Sequence, residues 1–317
     1  MKEKIALTLT LMNEGYSINE IQEMLKVDNR EFNKILKAIR DAGYNYSKHF
    51  SSDGTITIKP NRTLNFNDRK SIRINVKDRV LKAIFISDLH IGSIFENPKL
   101  LKIVYNYAKT HDCHIIFNGG DLVEGIYPDA PYPPKNPTLE SQAKKVLRIH
   151  PFDPNITCFM LYGNHDYRGL IDEGFDISKY IEERRYDLVS LGYGECVIHL
   201  KDDAIAITHD LKKTCKNVVP NNVSAVYRGH SHKSKTRDNK IIYIPALSEN
   251  ESSAYEYRPL AGFLETEFTF FNKKIARINM KQLAIIEQEI RLANEETMIL
   301  QPEYQERPHT YQKKPQK

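Results

Sequence analysis

Several things are scarce or missing in this chain of 317 residues, and each absence narrows what it can be. Cysteine is scarce: there are four, Cys113, Cys158, Cys196 and Cys215, with no paired spacing. That excludes a disulfide framework and reads as buried free thiols in a reducing compartment, the first three inside predicted strands. No run of about 18 uninterrupted apolar residues occurs, so no membrane-spanning helix is expected. The chain starts Met1-Lys2-Glu3-Lys4-Ile5, charged at once and without an apolar leader core. This predicts a cytoplasmic protein with no membrane partner. Excess charge is missing from most of the chain as well. Residues 1–80 hold 15 Lys and Arg against 10 Asp and Glu, whereas the remainder holds 31 of each sign. The whole net charge of +5 therefore sits in the first quarter of the sequence, where a basic balance suits a polyanionic partner.

What is present is a set of five short polar clusters, each placed just after an apolar run that reads as a β-strand. Asp88 and His90 follow Leu81 to Ser87, and Gly120-Asp121 follows Cys113 to Asn118. Gly163-Asn164-His165-Asp166 follows Asn155 to Tyr162, His209 follows Ala204 to Thr208, and Gly229-His230-Ser231-His232 follows Asn222 to Tyr227. Each cluster alone is weak, because such residues also make ordinary turns. Their conjunction in one order, every one at a strand end, points to a site on one rim of an α/β fold. Together they offer enough oxygen and nitrogen ligands for two divalent metals side by side, with one histidine to spare. That equipment suits metal-assisted hydrolysis of a phosphate ester. Carboxylate, amide and imidazole ligands in this mixture suit manganese, iron or zinc.

On these motifs the chain resembles the calcineurin-like metallophosphoesterase superfamily from about Leu81 to Lys281. The resemblance implies an α/β fold, a two-sheet sandwich flanked by helices, with the metal site at one end. It implies that Asp88, His90 and His232 bind one metal and Asn164, His209 and His230 the other, with Asp121 bridging. It also favours manganese. Within the superfamily, Ser87 to Ser93 with Gly120 to Pro128 looks most like the exonuclease-type small subunit of archaeal D-family DNA polymerase. It is also similar to the nuclease subunits of double-strand-break repair complexes. The oligonucleotide-binding barrel that precedes the polymerase subunit's core has no counterpart here. His165, the histidine not spent on metal, is the candidate general acid for the leaving oxygen. Glu124, where related phosphatases carry a carboxylate, would orient it, with Asp166 as the alternative.

The amino-terminal quarter reads differently. Helices are expected over 2–14, 17–25 and 28–42, the second opened by the capping box Ser17 to Glu20 and the third by Asp28 with Glu31. On the third, Phe32, Ile35, Leu36 and Ile39 share one face, and Arg30, Lys34 and Lys37 the other. A hairpin turning at Asp53-Gly54 comes next. Three helices and a hairpin resemble a winged helix-turn-helix over residues 1–59. A DNA-binding module of that kind would use Asn29, Arg30, Asn33, Lys34 and Lys37 on the third helix, with Tyr46 and Lys48 on the hairpin. A small packing or dimerisation unit with a solvated basic face is the other reading.

Residues 60–80 carry Arg62, Arg69, Lys70, Arg73, Lys77 and Arg79 and read as a basic linker. The alternation of Ile72, Ile74 and Val76 reads as a strand at its end, entering the catalytic domain. The catalytic domain is expected over 81–282. From Tyr127 to Pro137 five prolines and two tyrosines form a stiff loop, either shaping substrate entry or simply an inserted turn. Helices are expected at 138–149 and 177–185, and strands at 240–244, 262–271 and 274–280 completing a second sheet. A terminal helix over 285–293 and a disordered tail would make up 283–317. The first functional reading is a manganese-dependent phosphodiesterase acting on DNA, an exonuclease or single-strand-active nuclease. The second is a phosphatase or phosphodiesterase on small molecules or proteins, with the amino-terminal module serving assembly. The third is a DNA-binding regulator with a vestigial site. A protein partner or a homo-oligomer stays open.

Overall fold

The computed structural model describes residues 2–41, 45–61, 71–127, 132–210, 222–232, 237–238, 240–249 and 260–301. Arg62, Arg69, Lys70, Cys215 and the tail beyond residue 301 lie outside the described residues.

Helices come first: α1 (Lys2–Glu14), α2 (Ile18–Leu25) and α3 (Asn29–Asp41). The Ser17 hydroxyl accepts from the Glu20 N–H while the Glu20 carboxylate accepts from the Ser17 N–H, the reciprocal cap that the spacing predicts. Asp28 caps α3 by accepting from the Glu31 N–H at 2.7 Å. A hairpin of β1 (Asn45–Ser51) and β2 (Ile56–Asn61) follows, then β3 (Ser71–Asn75) and β4 (Val80–Ile86). The body continues with α4 (Pro98–Thr110), β5 (Ile115–Gly119), α5 (Leu139–Ile149), β6 (Thr157–Tyr162), α6 (Asn164–Glu173) and α7 (Ile177–Glu182). Next come β7 (Leu188–Tyr193), β8 (Glu195–Leu200), β9 (Asp203–Thr208), β10 (Ala225–Arg228), β11 (Arg237–Asp238) and β12 (Ile241–Tyr243). Three long strands finish the described chain: β13 (Gly262–Phe271), β14 (Lys274–Ile286) and β15 (Glu289–Ile299).

Two sheets face each other, as expected. One runs β15-β14-β13-β4-β5-β6-β7, with β4 to β7 parallel and the last three strands antiparallel. The other runs β11-β12-β10-β9-β8-β3-β1-β2. Alternation along β4 explains the layers: Leu81, Ala83 and Phe85 enter the core between the sheets, whereas Ile84 and Ile86 face the helices. Between the sheets Phe85 stacks on Tyr227 at 3.7 Å and on Phe117 at 5.0 Å. On the outer face Ile84 and Ile86 join Leu100 and Val104 of α4, Val146 of α5 and Ile181 of α7.

Four expectations need correction. The hairpin is no free wing, because β1 pairs with β3 and makes it the edge of the eight-stranded sheet. Correspondingly, Leu11, Ile21, Phe32, Ile35, Phe50 and Ile58 belong to the same buried core as Phe117 and Phe159. The basic stretch 60–80 is therefore no mere tether: β3 within it is an interior strand between β1 and β8. The expected terminal helix is the hairpin of β14 and β15, turned by Glu287 (φ 51°) and Gln288 (φ 68°) with Ile285 opposite Ile290. Two consecutive left-handed residues make the turn that suits a two-residue hairpin. Finally, β12 joins one sheet while β13 and β14 join the other, beside β4. Cys158 and Cys196 lie buried in strands, and Cys113, also buried, sits just ahead of β5.

The amino-terminal unit docks where the parallel strands begin. Asn19 donates to the Pro154 carbonyl at 2.7 Å, Asn33 to the Arg184 carbonyl at 2.6 Å, and the Gly54 carbonyl accepts from the Thr157 hydroxyl at 2.9 Å. Lys48 pairs with Glu182 at 3.1 Å. The polar clusters lie at the other ends of these strands. A strand the length of β6, six residues, separates the two poles by roughly 20 Å.

Candidate metal centre

The centre is built on loops that continue the strand pairing past the strand ends. The His90 and Ile91 N–H groups donate to the carbonyls of Asp121 and Leu122, and the Glu124 N–H to that of Ile91. The loops after β4 and β5 thus stay zipped together while their side chains turn inward. The turning is done by left-handed backbone: Asp88 (φ 54°), His90 (φ 46°), Asp121 (φ 51°), His230 (φ 71°) and His232 (φ 48°). Space is made by glycine. A Cβ on Gly163 would collide with the Asp121 carboxylate and the His209 ring, and one on Gly120, at φ +115°, with the same ring.

All seven sequence-predicted ligands meet here. His232 Nε2 is 3.2 Å from an Asp88 oxygen and 3.3 Å from His90 Nε2. The His230 N–H reaches both oxygens of Asp88 at 3.1–3.2 Å. His209 Nε2 is 3.0 Å from Asp121 Oδ2 and 3.2 Å from Asn164 Oδ1, and its Nδ1 donates to the Gly119 carbonyl at 2.8 Å. That bond leaves Nε2 as the coordinating atom. Among the described residues three groups have ligand atoms within 4.8 Å of one another: Asp88, His90 and His232; Asp121, His209 and His230; and His90, Asp121 and His165. Imidazole nitrogens facing one another and a carboxylate at such distances fit a pair of divalent cations.

The electrostatics agree with that fit. Burial opposes the ionised form of Asp88, yet the imidazoles of His232 and His209 hold its carboxyl at about 2. Burial likewise opposes ionisation of Asp121, but His209, His165 and His90 push it well below the usual carboxylate range. His90 and His209 are buried and still raised to about 9, the first by Glu124 and Asp121, the second chiefly by Asp121. Carboxylates and imidazoles at this pole hold each other's charge, and cations could take the place of the imidazoles' protons.

His165 lies beside this set. Its backbone N–H donates to Asp121 Oδ1 at 3.0 Å, its Nε2 is 4.0 Å from Asp121 Oδ2, and its Nδ1 meets the Glu124 carbonyl at 2.5 Å. Its expected partners are placed differently. The Glu124 carboxylate is 3.0 Å from His90 Nδ1, so it supports a ligand, and only its carbonyl serves His165. Asp166 accepts from the N–H groups of Leu122, Val123 and Gly163, which ties α6 to the loop after β5. Neither carboxylate orients His165. The main chain does, a partner no motif can show.

Two further residues, Gln142 and Arg168, were not foreseen, and Tyr127, expected only as part of the proline-rich loop, takes a definite place. Gln142 on α5 is fully buried and holds Gly125 at both its N–H and its carbonyl, and the Asn136 carbonyl as well. It thereby fixes the segment from which Glu124 reaches both histidines. The Tyr127 hydroxyl receives the Asn164 amide at 3.4 Å, turning the amide oxygen toward His209. Arg168 places its guanidinium 4.4 Å from the Tyr127 ring centre. Gln142 had no sequence signal. Arg168 had one, four residues after Asn164 and so on the same helix face.

The residues expected on DNA divide. Arg30, Lys34 and Lys37 are exposed on α3. Asn29 and Asn33 bond each other, and Asn33 also holds Arg184. Tyr46 receives Arg40, and Lys48 is spent on Glu182. Among the described residues no helix is long and apolar enough to cross a membrane.

Residues 81–234 match the calcineurin-like phosphoesterase family. No curated protein matches the chain. Among solved structures, a Vps29 single mutant from Entamoeba histolytica is similar at 11% identity and TM-score 0.39, covering 69% of this chain and 99% of that one. YfcE, a phosphoesterase from E. coli, is similar at 15% identity and TM-score 0.39, with 68% and 98% covered. The calcineurin-like phosphoesterase YfkN from Bacillus subtilis is similar at 7% identity and TM-score 0.34, with 69% and 90% covered. The family match, on a domain whose strand ends gather candidate metal-ligand groups, identifies residues 81–234 as a calcineurin-like phosphoesterase domain, a metal-dependent hydrolase of phosphate esters.

Proposed function

We propose that this chain is a two-metal phosphodiesterase acting on DNA, an exonuclease or single-strand-active nuclease, with manganese in the centre. Asp88, His90 and His232 would hold one ion and Asn164, His209 and His230 the other, Asp121 bridging. Ions held there would supply the positive charge that activates a water near neutral pH and stabilises the phosphate oxygens. His165, held by the Glu124 carbonyl, gives the leaving alkoxide its proton.

The observation that carries a nucleic-acid substrate is the rim beside His90. Tyr132 is 51% exposed and packs edge-on against Phe95 at 5.8 Å. Phe95 is tied down through the Glu249 N–H on its carbonyl. A fixed, half-open aromatic pair next to a phosphoesterase centre offers bases a stacking surface. The exposed cations Arg30, Lys34 and Lys37 support a contact between DNA and α3, and the motif likeness to the D-family polymerase subunit and to repair nucleases supports the same class. The second reading, a phosphoesterase on small molecules or proteins, is favoured by one fact: α3 docks at the pole away from the metals.

The test is to incubate the purified protein with Mn²⁺ and end-labelled single- and double-stranded DNA, alongside bis-p-nitrophenyl phosphate and p-nitrophenyl phosphate. Shortened DNA, with diester cleavage exceeding monoester cleavage, is expected. A strong monoesterase without nuclease activity moves the assignment to the second reading. Replacing Arg30, Lys34 and Lys37 with alanine should weaken DNA binding and flatten its salt dependence, leaving hydrolysis of the small diester unchanged.

A further inference from the structure

Tyr127 is in contact with two residues of α6. His165 is 4.7 Å away at 53°, and the Arg168 guanidinium is 4.4 Å from the ring centre. Both contacts engage the ring from within the protein. What the pair presents is a cation, held against a ring whose hydroxyl receives the Asn164 amide. Asp172 takes only Nε of Arg168, at 2.8 Å, and the arginine side chain stays 39% exposed. Asn164 and Arg168 are one helical turn apart on α6, so their Cβ atoms are about 5–6 Å apart, and Tyr127 touches both side chains. A positioned arginine there has the planar donor geometry that fits phosphate oxygens.

We infer that Arg168, seated on Tyr127, is a subsite for a second phosphate, the one adjoining the scissile group in a polynucleotide strand. The inference rests on the phosphodiesterase reading and names what that site prefers: two phosphates one nucleotide apart. Tyr127 is the platform and Arg168 the contact.

Two substrates isolate the claim: the dinucleotide dTpdT, and the same dinucleotide carrying an additional terminal phosphate at its 5′ or 3′ end. For the native enzyme one phosphorylated form should have a KM about tenfold lower than dTpdT, the low end for a charge-assisted contact. Arg168→Ala should remove that advantage, bringing the KM of the phosphorylated form to that of dTpdT. Arg168→Lys should keep part of it. A second readout needs no turnover. In EDTA, anisotropy of a labelled oligo-dT should show weaker binding by Arg168→Ala and a salt slope smaller by roughly 0.7, one phosphate contact on a single strand. An equal change on all substrates, or no change in KM and salt slope, overturns the subsite. If the native protein hydrolyses bis-p-nitrophenyl phosphate but neither dinucleotide, it is the nuclease reading that fails, and the subsite falls with it.

Discussion

Past the ends of β4 and β9 the buried His90 and His209 are held at about 9, while at the end of α5, ahead of β6, the buried His150 is pushed down to about 3. Burial opposes the imidazolium at both poles. The neighbours decide the sign. Carboxylates of Asp121, Glu124 and Asp88 surround the first two, whereas the Arg185 guanidinium lies beside the third. Backbone differs as well. Five of the seven predicted ligands sit in left-handed conformations, each costing roughly 1 kcal/mol or more for a residue with a side chain. The opposite pole is knitted by apolar packing of α1 to α3 and by the buried Arg185–Asp187 pair. One pole accepts strain and concentrated charge for the sake of chemistry. The other supplies the cohesion that lets it do so.

The largest expected break comes from Asp121→Asn. Its carboxylate is shared by two of the three ligand groups, so metal content by elemental analysis should fall for both ions and hydrolysis should drop to background. Full metal occupancy in this variant would remove the bridging role. His165→Ala should separate acid from ligand at the same pole. Metal stays, DNA cleavage falls about 10²–10⁴-fold, and cleavage of bis-p-nitrophenyl phosphate, with its stabilised phenolate, falls less. Loss of metal in that variant would make His165 a ligand, through the group it shares with His90 and Asp121.

Arg185→Leu should sharpen the contrast from the other side. It leaves the Asp187 carboxylate buried without its guanidinium, at a cost of about 3–5 kcal/mol by denaturant unfolding. Metal content and kcat should hold, because the change lies a strand length from the centre. A large loss of kcat with unchanged stability would show that the poles are not independent. The smallest effect is the pH dependence at His150. Its folded value, about 3, lies below the unfolded one, and Nε2 finds no partner among the described residues. The unfolded chain therefore takes up a proton first as pH falls. Stability from this group is full above about 6.5 and declines toward 3, by about 1.4 kcal/mol per pH unit at most. His150→Leu should flatten that acid limb in unfolding curves measured between pH 7 and 5. An unchanged slope would place the proton elsewhere.

How legible the centre was depended on the kind of partner. The ligands were readable because each chemical type stands at a strand end, and strand ends follow from apolar runs. Glu124 was singled out for the wrong histidine: sequence spacing from Asp121 says nothing of which ring its carboxylate meets. His165's actual partner is a carbonyl, identical in every residue. Gln142 works from α5 on a glycine 17 positions earlier, a separation with no period to betray it. In the amino-terminal quarter the caps and the amphipathic face of α3 were local and came out as expected. The fate of the hairpin was not local, because whether β1 finds β3 depends on an edge formed by distant β8.

By itself the sequence determined the three amino-terminal helices, the strands β4, β5, β6, β9 and β10 that lead into the polar clusters, and which side chains with metal-binding donor atoms stand at their ends. Those follow from short-range rules: side-chain periodicity, capping and the donor atoms each residue carries. Only the tertiary structure decided that the amino-terminal helices share one core with the phosphoesterase sandwich, that the chain after β13 folds back as a long hairpin, and that the ligands turn inward on left-handed backbone. Each is a balance between contacts far apart in the chain and a local conformational cost, and only the assembled fold contains both sides of it.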